Sequence, residues 1–225
     1  MKVNKFIEIK EKIDLEEAIE FAWDITRRDG KAGYPEKTWE YDGLREEFIK
    51  AYNHQDDKML LLRSGEDING VVCLFIDKEN KYLQTIGGIY YKDDFEYVLN
   101  KFIEYLEENF KSYDMIIGYT SKDKNILKVL EQKGEIFEKA EFFKLYKNNL
   151  KIKDIREDIR LLTTDDLEDF SDIHDKINPD MYWTSERLKK NLDNWRIFVY
   201  REMGKIKSYI MSQVYTDLTG EIRGI

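Results

Sequence analysis

The chain starts over partway along, and this repetition constrains its fold more than its composition does. Residues 7–25 alternate through Ile7 and Ile9, then enter a helix pattern at Asp14-Leu15-Glu16-Glu17. Residues 159–177 do the same through Ile159 and Leu161, then Asp166-Leu167-Glu168-Asp169, at the same spacing. Asn69-Gly70 opens a strand that turns and returns to Gly88-Ile89, and Gly204 opens another that returns to Gly224-Ile225. A period this long reads as two copies of one domain type rather than a solenoid of small units. Residues 1–150 suffice for a complete copy. Residues 151–225 read as the opening half of a second, with four strands and two helices.

The composition supports packed domains. Of 225 residues, 42% are hydrophobic and 14% aromatic, which suits a core and argues against disorder. No apolar run approaches the length that spans a bilayer. Met1-Lys2-Val3-Asn4-Lys5-Phe6 places charges where a signal peptide needs an apolar segment. The lone cysteine, Cys73, excludes an intramolecular disulfide and fits a cytoplasmic protein. The net charge is −9, with most of the acidic excess in residues 1–150. No basic stripe offers a nucleic-acid surface. An acidic surface favours cationic small molecules or basic peptides by long-range attraction.

Periodicity gives the order of elements. The first copy reads as an edge strand within 2–13 and a helix over 15–28 capped by Asp14. After a loop at 30–33 comes a helix over 36–53, followed by a buried strand at 59–62. A hairpin of 71–76 and 82–91 leads into a helix over 95–110. Phe95, Val98, Leu99, Phe102, Ile103, Leu106 and Phe110 mark one face of that helix. A short strand at 115–117, a helix over 125–132 and strands within 135–146 complete the copy. A polar linker at 147–157 precedes the second copy: strand 159–162, helices 166–176 and 185–192, and strands 197–201, 206–214 and 221–225. The fold class is α/β of the mixed α+β kind, a mixed sheet flanked by helices.

The element order, the entry Ile159-Arg160-Leu161-Leu162-Thr163-Thr164-Asp165-Asp166-Leu167 and the close Leu127-Lys128-Val129-Leu130-Glu131-Gln132-Lys133-Gly134 together resemble the GNAT (Gcn5-related N-acetyltransferase) superfamily. The resemblance implies acetyl-CoA as cofactor and a small-molecule or peptide amine as acceptor. In that family a glycine-containing loop after the fourth strand holds the cofactor's pyrophosphate on backbone N–H groups at a helix N-terminus. Here the place is taken by Tyr90-Tyr91-Lys92-Asp93-Asp94-Phe95, without glycine. Asp93 or Asp94 can cap the helix itself, so this site reads as closed. Where the family often has a tyrosine to protonate the departing thiolate, this chain has Leu130, and Tyr146 reads as a strand residue. Gly87-Gly88 is either a bulge where the pantetheine arm enters the sheet or a twist. In the second copy, Glu221 begins the fourth strand, where the family positions a general base. Its other reading is a solvent-facing residue near Arg223. The phosphate loop of that copy would follow Ile225.

Other residues carry less. His54 and His174 read as surface histidines outside any metal set, and Cys73 as a core residue. Residues 165–169 read as a helix start, lacking the glycine and oxygen spacing of a calcium loop. Trp39, Trp183 and Trp195 either line an acceptor groove or pack. Two functions follow. The first is an N-acyltransferase of tandem GNAT type, with a degenerate first domain and a catalytic domain cut short at Ile225. The alternative is a non-catalytic GNAT-fold module for interaction or ligand binding. The apolar hairpin 206–225 lacks cover, which predicts self-association into a homo-oligomer.

Overall fold

Two cores share one sheet in the first half of the chain, because alternate residues of each strand face opposite sides. In the computed structural model, residues 5–29, 36–119, 124–134, 158–179, 181–216 and 219–224 are described. They fall into two compact units, Met1–Ala140 and Glu141–Ile225. The first sheet contains β1 (Phe6–Glu8), β2 (Lys58–Ser64), β3 (Asp67–Asp77), β4 (Tyr82–Tyr91) and β5 (Asp114–Ile116), in that spatial order. All pairs are antiparallel except β4 with β5. Leu61, Val71, Cys73 and Tyr90 face α1 (Lys12–Asp29) and α2 (Tyr41–Asn53). Leu60, Leu62, Val72 and Leu74 face α3 (Phe95–Asn109) and α4 (Lys124–Glu131). The stripe read on α3 is its buried face: Val98, Leu99 and Phe102 are inaccessible, and Phe102 meets Phe6 edge to face at 5.9 Å.

The second unit holds an antiparallel sheet of β6 (Ile159–Leu161), β7 (Trp195–Glu202), β8 (Lys205–Thr216) and β9 (Thr219–Gly224), in that order. Helices α5 (Leu167–Ile177) and α6 (Ser185–Lys190) cover one face, packing Phe170 and Leu188 against Trp195, Ile197, Val199 and Met211. On the strands, Ile159, Leu161 and Phe198 stay 36%, 46% and 38% exposed. Leu161 lies opposite Phe198, and Phe198 opposite Ile210, so these residues form a cross-strand row.

The hairpins of the two units match in detail. The β2–β3 ladder slips between Leu62 and Arg63, and the β7–β8 ladder slips between Tyr200 and Arg201. Arg63 donates to Asp14 at 3.0 Å, to Glu17, and to the Glu66 carbonyl at 3.1 Å. Arg201 donates to Asp166 at 2.5 Å, to Asp169 at 2.9 Å and to the Gly204 carbonyl. In each unit an arginine beside the turn therefore ties the hairpin to the first turns of a helix.

This geometry corrects several expectations. Gly204 occupies its turn with φ +77°, and the turn glycine of the earlier hairpin is Gly65, with φ +70°. Gly70 lies inside β3 opposite Leu62, where an added Cβ would come within 2.7 Å of Val98. Turn glycines and close-approach glycines look alike in sequence. The first strands also align differently: the Ile9 N–H bonds to Met59 and the Leu162 N–H to Ile197, so the strand-to-helix turn is one residue shorter in the second unit. Asp14 does not cap α1, which begins at Lys12. Its counterpart Asp166 closes a capping box with Thr163. The region preceding α2 is a 3-10 turn, Glu36–Trp39, rather than more α-helix.

His174 is not at the surface; it is fully buried. Its Nε2 lies 2.7 Å from the Trp183 carbonyl, which can only accept, so Nε2 carries the proton. Its Nδ1 then accepts from the Tyr209 hydroxyl at 2.8 Å, and that oxygen accepts from Asn178 at 2.8 Å. The ring stacks on Phe170 with centroids 5.1 Å apart. A polar residue on a helix otherwise rich in charge gives no sign of this role. The strands read within 135–146, the linker at 147–157 and Tyr146 lie outside the described residues.

Two outcomes follow for stability. Phe102→Ala should cost about 3–5 kcal/mol by chemical denaturation, because an inaccessible ring between sheet and helix leaves a cavity. Asp166 is held below the usual carboxylate range by Arg160, with the Thr163 N–H and hydroxyl assisting. A depressed folded-state pKa contributes stability above the unfolded value of about 3.9 and loses it as pH falls below that. Urea midpoints measured down the acid range should therefore show Asp166→Asn losing its disadvantage relative to wild type below about pH 4.

Candidate functional site

Among the described residues, the first sheet has one parallel pairing, and it is brief. Tyr82, Leu83 and Gln84 of β4 pair with Asp114, Met115 and Ile116 of β5. Past this point the Gly118 N–H turns to the Thr85 hydroxyl at 3.0 Å, and the paired register goes no further. On its other side β4 bulges: Val72 lies opposite Ile89 but Cys73 opposite Ile86, so Gly87 and Gly88 are both extruded. Their φ angles are +80° and +106°, conformations that side chains with a Cβ avoid. The Gly87-Gly88 pair is thus a bulge in β4 beyond the end of its pairing with β5.

Between the strands, Ile89, Phe95, Ile117, Gly118, Tyr119, Ile126 and Leu130 line a small apolar cavity of about 20 Å³. That volume holds a water and little more. Leu130, at the position of the expected proton donor, is one of the lining residues, and the one hydroxyl among them belongs to Tyr119. Burial raises the Tyr119 hydroxyl, with the nearby Glu131 carboxylate adding to the effect. Sequence reading passed over Tyr119 because nothing marks a tyrosine three residues after a short strand; its place depends on where β5 leaves β4.

The head of α3 has its own anion. Three residues separate β4 from α3, and Asp94 caps the helix, its Oδ1 accepting from the Tyr97 N–H at 3.0 Å. Tyr91 and Phe95 pack across the short connection with ring centroids 5.1 Å apart. Asp93 is exposed beside them. A phosphate arriving here would meet carboxylate and lack glycine backbone to settle on. These residues do not fit the pyrophosphate of acetyl-CoA.

Behind β4, Tyr90 is fully buried, and its hydroxyl lies where a Cβ on Gly87 would fall, 2.0 Å away. Burial raises this hydroxyl strongly; it lies beside Thr38 and Thr26 without completing a hydrogen bond to either. Cys73 is buried nearby, and desolvation raises its thiol well above the ordinary value, which keeps it protonated and unsuited to nucleophilic attack.

In the second unit the backbone places Glu221 on β9 opposite Gln213 of β8; its side chain lies outside the described residues. Trp183 and Trp195 pack edge to face at 5.1 Å, with Trp195 buried, while Trp39 of the first unit is 41% exposed. Trp195 is therefore a packing residue. Among the described residues, no group of three or more His, Cys, Asp and Glu side chains is arranged to hold a metal ion, and no helix is long and apolar enough to cross a membrane.

No protein-family model and no curated protein matches the sequence. Solved structures do match. The GCN5-related N-acetyltransferase from Sphaerobacter thermophilus is 13% identical, with a TM-score of 0.59 over 96% of this chain and 74% of that one. A possible acetyltransferase from Clostridium difficile 630 is 12% identical, with a TM-score of 0.42 over 64% of this chain and 96% of its own. An acetyltransferase of the GNAT family from Colwellia psychrerythraea is 13% identical, with a TM-score of 0.40 over 94% and 72%. The latter two are looser likenesses, and the fold assignment rests on the Sphaerobacter protein. That likeness shows the fold: a mixed sheet flanked by helices, as in the GCN5-related N-acetyltransferase.

Gly87→Ala tests the bulge. Left-handed strain alone costs about 1–3 kcal/mol, and the methyl must also displace the Tyr90 hydroxyl, so thermal unfolding should shift down further than for Gly65→Ala. Gly65 also has positive φ, but nothing lies within 4 Å of its added Cβ.

Proposed function

We propose that this is a tandem GNAT-fold protein of N-acyltransferase type, in which the first unit is a structural half without cofactor and acyl transfer from acetyl-CoA to an amine belongs to the second. The observation that carries this reading is the Asp94 cap on α3, which places a carboxylate where a cofactor phosphate would have to sit. The tandem part draws support from the matched arginine ties and hairpin slips of the two units, and from a fold likeness that extends over 96% of the chain. Glu221, by its place on β9, is the residue assigned to take a proton from an ammonium acceptor. No step through acetyl-CoA is assigned to the first unit.

A specific observation favours a second reading. The exposed apolar residues Ile159, Leu161 and Phe198 of β6 and β7 suit a GNAT-fold module that binds other proteins or itself. Sedimentation of the chain over a concentration series addresses self-association: concentration-dependent dimer formation that Phe198→Asp abolishes supports it, and a monomer throughout removes it.

Hydrogen exchange of the full chain with and without acetyl-CoA tests the closed site. No added protection should appear in residues 92–99 of the wild-type chain. Micromolar binding accompanied by protection at the head of α3 would show the first unit to be the cofactor site. In acetylation assays against a panel of amines, Glu221→Gln should lower kcat by about 10²–10⁴-fold; turnover equal to wild type would remove Glu221 from the chemistry.

A further inference from the structure

One face of the second sheet is bare where the same face of the first sheet is covered. The ladder slips fix which residues correspond. Leu62 lies opposite Gly70 just before the slip in the first unit, and Tyr200 lies opposite Ser208 just before it in the second. Two residues back, Leu60 pairs with Val72 and Phe198 with Ile210. On the neighbouring strands, Phe6 pairs with Leu62 and Ile159 with Tyr200, while Glu8 pairs with Leu60 and Leu161 with Phe198. Opposed residues share a face, and so do alternate residues of one strand. Ile159, Leu161, Phe198, Tyr200 and Ile210 therefore stand where Phe6, Glu8, Leu60, Leu62 and Val72 stand in the first sheet.

The two faces differ in what lies over them. In the first unit Phe6, Leu60, Leu62 and Val72 are at most 3% exposed, packed with Val98, Leu99 and Phe102 of α3. In the second unit Ile159 is 36% exposed, and Phe198 and Leu161 more so. This face is turned away from α5 and α6, which pack on Val199, Tyr209 and Met211 of the same strands. Position for position it is no more polar than the covered one, since Leu161 replaces Glu8 and the other replacements are apolar or aromatic. An exposed cluster of this composition marks a surface for another protein element.

The element that fits is legible in α3. Val98 lies over Gly70, where an added Cβ would come within 2.7 Å of Val98 Cγ1, and Phe102 meets Phe6 edge to face at 5.9 Å. Ser208, in the place of Gly70, already carries a Cβ. A helix seated on the second sheet as α3 is on the first must therefore bring a small residue where α3 has Val98. Large apolar residues follow at the places of Leu99 and Phe102, on the same face of the helix. A second copy of this chain cannot lend its own α3, because that stripe is already buried against its own sheet.

We propose that this face of the second sheet docks an amphipathic helix of a separate polypeptide, with a small residue over Ser208 and large apolar residues at the next position and one turn on. The mode is that of a helix laid by its apolar face on a hydrophobic surface. The proposal rests on the second reading above, that these exposed residues bind protein, and does not depend on acyl transfer.

The test is an NMR titration of the full chain with a synthetic peptide of residues 94–110 carrying Val98→Ala. The control is the same peptide with Phe102→Asp added. Saturable shifts in the amides of residues 159–161 and 196–200 are expected with the first peptide alone. Phe198→Asp in the full chain should weaken that binding by about tenfold or more, as for an anchor at the centre of an interface. Equal shifts with both peptides, shifts confined to residues 58–74, or full affinity in Phe198→Asp would overturn the proposal. Should that variant fail to fold, the contrast between the two peptides on wild type decides by itself. Sedimentation separates this proposal from the reading beneath it. A Phe198-dependent dimer that the peptide leaves intact keeps the binding-module reading and removes the helix, whereas a monomer without saturable shifts removes both.

Discussion

Burial of β3 on both faces is the constraint on which the first unit depends. Val71, Val72, Cys73 and Leu74 are all inaccessible, and alternate members belong to different cores. A strand with no face left for water requires helices on both sides, and each must bring a stripe of its own. The α1–α2 pair supplies one layer, and α3 with α4 the other. The second sheet meets this demand on one side only among its described residues. There β7 carries Trp195, Ile197 and Val199 inward and Arg196 and Phe198 outward, the alternation of a half-covered sheet.

Surface pairs involving arginine ordinarily contribute little. The Arg201 pair with Asp166 differs because the Asp166 side chain is 3% exposed and is shared with Arg160 and Thr163. Its partner in the first unit, Arg63, bridges carboxylates that are more open to solvent. The same geometry therefore lies closer to the surface in one unit than in the other. In the second unit it stands near a smaller core, where one hydrogen-bonded carboxylate forms a larger share of what holds helix to hairpin.

Sequence patterns revealed the elements that depend on local periodicity. The α3 stripe and the limits of β4 come directly from residue spacing, because a helix face or an alternating strand is written in consecutive positions. What escaped depends on partners distant in sequence. His174 owes its burial to Tyr209 and to the Trp183 carbonyl, neither of which a helix pattern announces. Gly70 and Gly204 looked equivalent because close packing against Val98 and a tight turn select the same residue. At the candidate site, the glycine-free connection and its capping carboxylate were legible, since capping acts within one turn. Tyr119 and the cavity were not, because they arise where separate strands and helix ends converge.

The Asp94 cap has a consequence beyond geometry. A carboxylate joined to the helix by a single side chain is a tethered anion, and even short flexible tethers present their ends at about millimolar effective concentration. A free phosphate group must therefore displace a competitor that never diffuses away. It must do so beside Asp93, whose charge it would also meet. The Asp94 carboxylate thus holds this helix end whatever anion is in solution.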